Sequence, residues 1–117
     1  MIKNAKQVQI YLMPRAPKMT RELPAAITKT LAALGANLRL ARERRGMTIR
    51  ELAAQLNASV PTIISLERGE STVSMAIYAA ALNFYERLEW LPDLVDPQFD
   101  REALRIELAG IRPRNRR

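Results

Sequence analysis

The sequence predicts an all-α fold of about five helices, and three observations lead to this prediction. Apolar residues recur at three- and four-residue spacing between residues 24 and 110, as on the buried face of amphipathic helices. Residues that start helices and residues that end them alternate along the same region. Only residues 8–12, VQIYL, have a pattern typical of extended backbone, and the sequence predicts no convincing core strand.

The first helix is predicted from a long apolar face that begins after Pro24. Its members share three- or four-residue spacing and are Ile27, Leu31, Leu34, Leu38 and Ala41. Gly35 interrupts the pattern, so the region is either one long helix or a lead-in helix followed by a first domain helix. Gly46 is expected to close it as a left-handed cap.

The second helix has the best start signal in the chain. Thr48 and Glu51 stand at the two positions of a capping box, and Met47 and Leu52 at those of a hydrophobic staple. The helix should end near Asn57, because asparagine tolerates a left-handed turn.

The third helix is expected to be capped by Ser59 and to accept Pro61, since the first helical turn has no internal partner for a backbone N–H. Ile63 and Leu66 should face inward, and Gly69 should end the helix. These signals place two short helices on either side of a tight turn.

A fourth helix is predicted after Val73 and Ser74, which repeat the staple and the cap. Asp96-Pro97 should bound a last helix of about ten residues that ends near Gly110. Aromatic residues at helical spacing usually pack, so Tyr78, Trp90 and Leu94 are interpreted as core or dimer contacts rather than as a ligand pocket.

Composition narrows the classes of function. The 117 residues are 48% hydrophobic, enough for one domain with a small core. The chain has no cysteine and no histidine, which removes thiolate chemistry and the commonest proton shuttle. We find no glycine-rich phosphate loop, no G-x-S-x-G and no carboxylates at metal spacing. The sequence therefore predicts no enzymatic activity, no cofactor and no metal site.

The charge is unevenly distributed. The net charge is +7, but residues 1–50 hold 11 basic and 2 acidic side chains (+9), whereas residues 51–117 hold 8 basic and 10 acidic (−2). Such a surplus points to a polyanionic partner. Residues 86–102 are acidic and form either a contact surface or a solvated face.

Both ends of the chain are predicted to lie outside the domain, which spans residues 24–110. Residues 1–23 are expected to be a flexible basic arm. Within it, residues 8–12 are either disordered, the alternative that we favour, or an edge strand that pairs with its copy in a dimer. Residues 111–117 form a basic, arginine-rich tail. No stretch approaches the roughly 18–20 apolar residues of a membrane span, and no signal peptide is recognisable, so a cytoplasmic protein without a membrane partner is expected.

The central run GMTIRELAAQLNASVPTIISLERG resembles the helix-turn-helix of the Xre/Cro, lambda-repressor-like family. G-M-T opens the second helix, S-x-x-T-I lies in the third and E-R-G closes it. The resemblance implies a lambda-repressor-like domain that binds double-stranded DNA through a motif at residues 48–69, and so a transcription regulator.

A wider resemblance covers roughly residues 35–117. NLRLARERRGMT, S-V-P-T, ERGESTVSMAIYAAAL and L-V-D-P-x-x-D with an arginine-rich end are together similar to HipB-like regulators, which are encoded beside HipA-like kinase toxins. This implies a homodimeric antitoxin that represses its own operon and holds a HipA-like kinase toxin. Two alternatives stay open: a protein-interaction module that neutralises a partner without reading an operator, and a stand-alone Xre-type repressor.

The third helix is expected to read DNA with an unusually apolar tip. The predicted base-reading residues are Ser59, Val60, Pro61, Thr62, Ile64 and Ser65. Methyl groups can meet thymine and hydroxyls can meet base edges, but no bidentate side chain is present. The family usually places glutamine at the first position of the second helix, where this chain has Ile49. Ile49 and Ile64 therefore face DNA, or pack against a dimer or toxin partner.

Affinity is expected to come mainly from cations near the motif. The predicted phosphate-binding residues are Arg39, Arg42, Arg45, Thr48, Arg50 and Arg68. Arg39 and Arg42 have a second interpretation, in which they pair with Glu43 or with the acidic stretch. The tail residues Arg112, Arg114, Arg116 and Arg117 are candidates for minor-groove contact, or are simply solvated charge.

Overall fold

The computed structural model describes residues 22–110, and within that range it contains helices and no strand. Six α-helices and one 3-10 turn follow in order: α1 Ala25–Arg44, α2 Ile49–Leu56, α3 Val60–Glu67, α4 Met75–Phe84, α5 Trp90–Asp93, the 3-10 turn Pro97–Phe99 and α6 Arg101–Leu108. The all-α prediction is confirmed. The five expected helices are present, and the one-turn α5 is additional. Residues 1–21 of the predicted arm and the tail at 111–117 lie outside the described residues.

Helix α1 runs without a break through Gly35, so the single long helix is the correct alternative. A Cβ added to Gly35 would collide with the backbone nitrogen of Gly69 and lie 2.7 Å from the carbonyl oxygen of Glu67. Gly69 has a positive φ of +71°, and a Cβ there would collide with the carbonyl of Leu31. The two glycines thus allow the backbone of α1 to touch the chain that leaves α3.

The predicted helix ends are confirmed at α1 and α2. Gly46 has φ +66°, and the N–H of Met47 donates to the carbonyl of Arg42 at 3.2 Å, as in a Schellman motif. Asn57 has φ +53°, and the N–H of Ala58 donates to Ala53 at 2.9 Å. Both ends therefore have satisfied carbonyls.

The capping box at the start of α2 is also confirmed. The Glu51 N–H donates to Thr48 Oγ1 at 3.1 Å, and the Thr48 N–H donates to Glu51 Oε1 at 2.8 Å. This hydrogen bond from the Thr48 backbone lowers the pKa of Glu51 from its ordinary value of 4.5.

The chain divides into two units between Ala81 and Leu82, within α4. The core of the first unit lies where α3 packs against both α1 and α2. Its buried apolar side chains are Leu38, Leu52, Ala53, Ile63, Leu66, Tyr78 and Ala81. Tyr78 Oη donates to the Glu70 carbonyl at 2.8 Å, which ties α4 to the turn after α3.

The second unit contains the end of α4, the short helix α5, the 3-10 turn and α6. Glu86 closes α4 with a positive φ of 59°, unusual for a residue other than glycine. Asp96 caps the 3-10 turn by accepting from the Gln98 N–H at 2.8 Å, and Asp100 caps α6 by accepting from Ala103 at 3.0 Å. The last helix is therefore shorter than expected, with eight residues, and Asp96-Pro97 opens the turn before it.

Trp90 and Leu94 are not core residues of this chain. Their side chains are 60% and 76% exposed, whereas Tyr78 is buried as expected. The core interpretation is wrong for these two residues because α5 spans only one turn. No helix between residues 22 and 110 is long and apolar enough to cross a membrane.

Candidate nucleic-acid interface

Helices α2 and α3 form a compact pair joined by residues 57–59. Asn57 makes the left-handed turn, and Ser59 then caps α3 by accepting the N–H of Thr62 at 3.2 Å. Helix α3 is held against α1 and α2, so two elements fix its orientation. This is the arrangement in which the second helix of a helix-turn-helix presents its free face to a DNA groove.

Burial separates the two faces of α3. Ile63 and Leu66 are fully buried, so the opposite face points outward. Ser59 and Pro61 are exposed, and Val60, Thr62, Ile64 and Ser65 are partly exposed. All six predicted base-reading residues therefore lie at the accessible side of α3 or at its first turn.

Two of these hydroxyls are coupled. Ser59 Oγ and Thr62 Oγ1 are 2.8 Å apart, and either can be the donor. One of their two hydroxyl protons is used in this bond, so the pair keeps one proton for another acceptor. Ser59 thus caps the helix and can still take part in a contact to a base or a phosphate.

An open depression of about 470 Å³ borders α3 on the side of α4. Thr62 and Ser65 line one side, and Thr72 and Ser74 line the other. Four hydroxyls therefore surround it, with apolar groups such as Pro61 between them. From the sequence, Ser74 is predicted only as a helix cap and Thr72 has no predicted role, although the polar run S-T-V-S between two helices is a usable signal.

Arg50 is the cation best placed for a phosphate among those predicted. It lies in the first turn of α2, is exposed and makes no ion pair within residues 22–110. Thr48 precedes it, and the positive end of the α2 dipole adds to its charge. Ile49 between them is half-buried and supplies only apolar contact.

The other exposed arginines have local interactions. Arg39 Nε pairs with Glu43 Oε2 at 3.2 Å, and Arg45 Nη1 donates to the Ala41 carbonyl at 2.9 Å. Arg68 Nη1 is 3.9 Å from Glu70 Oε2. Exposed ion pairs are weak, so Arg39 and Arg68 can still exchange their carboxylate for a phosphate.

Arg42 is a correction, because its side chain is only 9% exposed and is not available to phosphate. Its Nε and Nη2 donate to the two carboxylate oxygens of Glu67 at 2.8 and 3.0 Å, and Nη1 donates to the Met47 carbonyl at 2.8 Å. The bidentate pair joins α1 to the end of α3. Arg42 therefore helps to hold α3 in place, and the carboxylate that it pairs with here is that of Glu67.

The comparison with known proteins agrees with this geometry. Residues 33–90 match the family model of a helix-turn-helix domain, a range that includes α2, α3 and the whole of α4. No curated protein and no solved structure matches the chain significantly. Residues 33–90, slightly less than half of the chain, are thus similar to a helix-turn-helix domain.

Proposed function

We propose, from this similarity, that the protein is a homodimeric transcription regulator that binds a specific double-stranded DNA operator through residues 24–110. The observation that carries the proposal is the placement of α3, whose inner face is buried and whose outer face is free. In a dimer, two such helices would meet successive major-groove faces about 34–36 Å apart.

Affinity in this proposal comes from phosphate contacts. Arg50 and Thr48 at the start of α2 would meet one strand, and Arg39, Arg45 and Arg68 would add charge nearby. Each neutralised phosphate releases counterions, so binding weakens steeply with salt. Arg112, Arg114, Arg116 and Arg117 are proposed to follow the minor groove, where narrow A/T tracts attract arginine.

Specificity comes from weaker contacts than usual. Val60, Pro61 and Ile64 would rest on apolar groups such as thymine methyls, and the Ser59, Thr62 and Ser65 hydroxyls would meet base edges. The lack of a bidentate pair forgoes about 1–3 kcal/mol of discrimination at a position. Half-site spacing and DNA shape must supply the remainder.

The finer proposal is an antitoxin of the HipB kind that acts in the cytoplasm and represses its own operon. Its support is the resemblance over residues 35–117, which would make a HipA-like kinase toxin the partner. Co-expression with the neighbouring reading frame and co-purification test it. If that frame encodes no kinase-like protein, or its product does not co-purify, the stand-alone repressor is the better description.

A second candidate function is supported by the apolar tip. Val60, Pro61 and Ile64 would suit a protein surface as well as thymine methyls, so the fold could serve only to neutralise a partner. Ile49 adds to this apolar character. This candidate predicts DNA binding without sequence preference.

Fluorescence anisotropy separates the two candidates. The full chain is titrated into its own upstream DNA and into a scrambled duplex across about 50 to 200 mM salt, where phosphate-driven affinity falls by orders of magnitude. The regulator keeps a preference of about a thousandfold for its own DNA near physiological salt. Equal affinities that fall together with salt contradict the regulator and favour the interaction module.

A double substitution tests the reading face itself. Thr62→Ala with Ser65→Ala should reduce the preference for the operator and leave binding to the scrambled duplex unchanged. The backbone N–H of residue 62 still donates to Ser59, so α3 keeps its cap. Thr30→Ala is the matched control, because this exposed threonine bonds only to the Ala26 carbonyl in α1.

A further inference from the structure

The second unit exposes large apolar side chains along its described part, residues 82–110. Six of these residues are more than half exposed, namely Trp90, Leu94, Val95, Phe99, Leu104 and Leu108. Scattered apolar residues on a surface are ordinary, but a concentration of this kind marks an interaction site.

Four of these residues form two apolar pairs. Trp90 begins α5 and Leu94 follows it with helical backbone angles, while Leu104 and Leu108 both lie in α6. The members of each pair are four residues apart, so their side chains are neighbours on one side of the helix. In α6 the partly buried Ile106 marks the inner face. The leucine pair therefore lies on the outer face of α6.

The interior of the second unit is small. Tyr85 is the one buried residue between positions 82 and 110. Even with residues 111–117 the unit has fewer than about 40 residues, a size at which disulfides, metals or oligomerisation are usually needed. The chain has no cysteine, and residues 22–110 contain no group of side chains suited to a metal ion. Oligomerisation is therefore the remaining way to bury these apolar side chains.

The exposed apolar area is sufficient for a stable dimer. A buried aromatic side chain covers about 150–250 Å², and an aliphatic one covers about 100 Å². At their exposed fractions, the six residues present roughly 500 Å² of apolar surface. A standard interface buries about 800 Å² on each partner, of which roughly 450–500 Å² is non-polar. The second unit can thus supply the apolar part of one such interface.

The first unit offers less for pairing. Its described part has three exposed large apolar side chains, Ile27, Leu40 and Met75. Ile27 and Leu40 lie about 20 Å apart along α1, and Met75 opens α4. The outer face of α3 is assigned to DNA in the proposed function. Among the described residues, the second unit is therefore the better surface for a second copy.

We propose that the second unit is the pairing surface of the regulator and that it docks on the second unit of another copy. This inference rests on the homodimer of the proposed function and names the surface that the dimer uses. A two-fold axis relates the copies, so each contributes the same residues. The two apolar pairs lie at the centre of the contact, and carboxylates such as Glu89 and Asp93 stay at its solvated rim.

Charge gives this contact a signature that separates it from other contacts. Residues 82–110 contain seven acidic and three basic side chains, so the two paired units carry net charge of the same sign. Salt screens the repulsion between exposed like charges. Added salt should therefore strengthen the pairing, whereas it weakens DNA binding and would weaken a contact with a basic partner protein.

Sedimentation velocity of the full chain without DNA tests the surface. The unsubstituted chain should sediment as a dimer at micromolar concentration. Leu104→Glu with Leu108→Glu should raise the dimer dissociation constant by about 100-fold or more, as the loss of central contacts does. The circular dichroism of the resulting monomer should be unchanged, because both leucines are exposed in a single chain.

The matched control is Leu40→Glu with Met75→Glu in the first unit. Leu40 is 52% exposed and Leu104 is 53% exposed, so the two double variants place charge at comparable surface positions. The control should remain a dimer.

Trp90 reports on the same contact without any substitution, since it is the sole tryptophan of the chain. Its side chain is largely exposed in one copy, so pairing should bury it. On dilution, the acrylamide quenching constant should rise and the emission should shift to longer wavelength. Both changes should follow the concentration range in which the sedimenting species becomes a monomer, and added salt should move that range to lower concentration.

Three results would overturn the proposal. The full chain could be monomeric from micromolar to submillimolar concentration, with Trp90 accessible throughout, which would leave this surface to another protein. The Leu104→Glu, Leu108→Glu chain could remain a dimer, or the first-unit control could dissociate. In these last two cases the homodimer survives and only its surface is wrong. Failure of the proposed function looks different, because pairing through the second unit would persist while the anisotropy titration shows no preference for the chain's own DNA.

Discussion

Replacing Arg42 with methionine should destabilise the first unit by about 3–5 kcal/mol, the usual cost of removing one partner of a buried ion pair. The Glu67 side chain is only 6% exposed, and both its carboxylate oxygens accept from Arg42. Without the guanidinium the charge has no partner and little water. The Met47 carbonyl loses its donor as well.

The destabilisation by Arg42→Met is large relative to the total free energy of unfolding. Domains have a total free energy of unfolding of about 5–15 kcal/mol, so Arg42→Met consumes a substantial part of it. A second substitution, Glu67→Met, removes the orphaned carboxylate. The double variant should regain most of the loss, because apolar replacements of buried ion pairs are often neutral or stabilising.

Urea unfolding followed by circular dichroism measures both effects. Arg39→Ala is the control, since its exposed pair with Glu43 is of the kind that contributes about 0–1 kcal/mol. The reasoning is refuted if Arg42→Met unfolds within about 1 kcal/mol of the unsubstituted chain, a change within the ordinary range for exposed sites. It also fails if the double variant is no more stable than Arg42→Met alone.

Four further predictions concern single positions. Glu51→Gln should lower the urea midpoint at neutral pH but not at acid pH. The Thr48 N–H lowers the pKa of the Glu51 carboxylate, so this hydrogen bond stabilises the folded chain fully above the ordinary pKa of 4.5. The stabilisation is lost as the pH falls through the lowered pKa. Gly69→Ala should cost more than about 1–3 kcal/mol in urea unfolding, the usual cost of a strained backbone, because its Cβ also meets the Leu31 carbonyl. Glu86→Gly should raise stability by about 1 kcal/mol, since φ there is +59°. Arg50→Gln should reduce the salt slope of DNA binding by about 0.9, one phosphate contact, and weaken all duplexes alike in the anisotropy titration.

Two matched substitutions serve as controls for these predictions. Gly110→Ala also places a side chain at positive φ, +75°, but its Cβ would meet nothing within 4 Å, so it should cost less than Gly69→Ala. Arg105 lies in α6 and pairs with Glu102, so Arg105→Gln should leave the salt slope unchanged. Equal costs at the two glycines, or equal salt slopes for the two arginine variants, would contradict the reasoning.

The helix ends were predictable because their chemistry is local. Thr48 and Glu51 are three residues apart, and the backbone turn at Asn57 depends on its own residue type. The outer face of α3 was predictable in the same way, because Ile63 and Leu66 are three residues apart and so mark the buried face. Short-range rules of this kind determine most of the candidate interface.

The errors arose where distant residues meet. Arg42 lies 25 positions before Glu67, and only the packing of α1 on α3 makes them a pair. The sequence left a long helix and a break at Gly35 as alternatives, because the neighbour that explains this glycine, Gly69, is far away in sequence. The helical spacing of the aromatic residues predicted a core or a dimer contact for Trp90, and the core alternative is wrong, because its side chain is 60% exposed on a helix of one turn.

The contact between Gly35 and Gly69 has a consequence for how the protein can change over time. It fixes the C-terminal end of α3 through backbone atoms, and so it does not depend on the side chains of the outer face. Those positions are then free to mutate without loss of the framework. A lineage of such proteins could acquire a new binding preference through a few substitutions at positions 60, 61 and 64, while the fold that presents them stays the same.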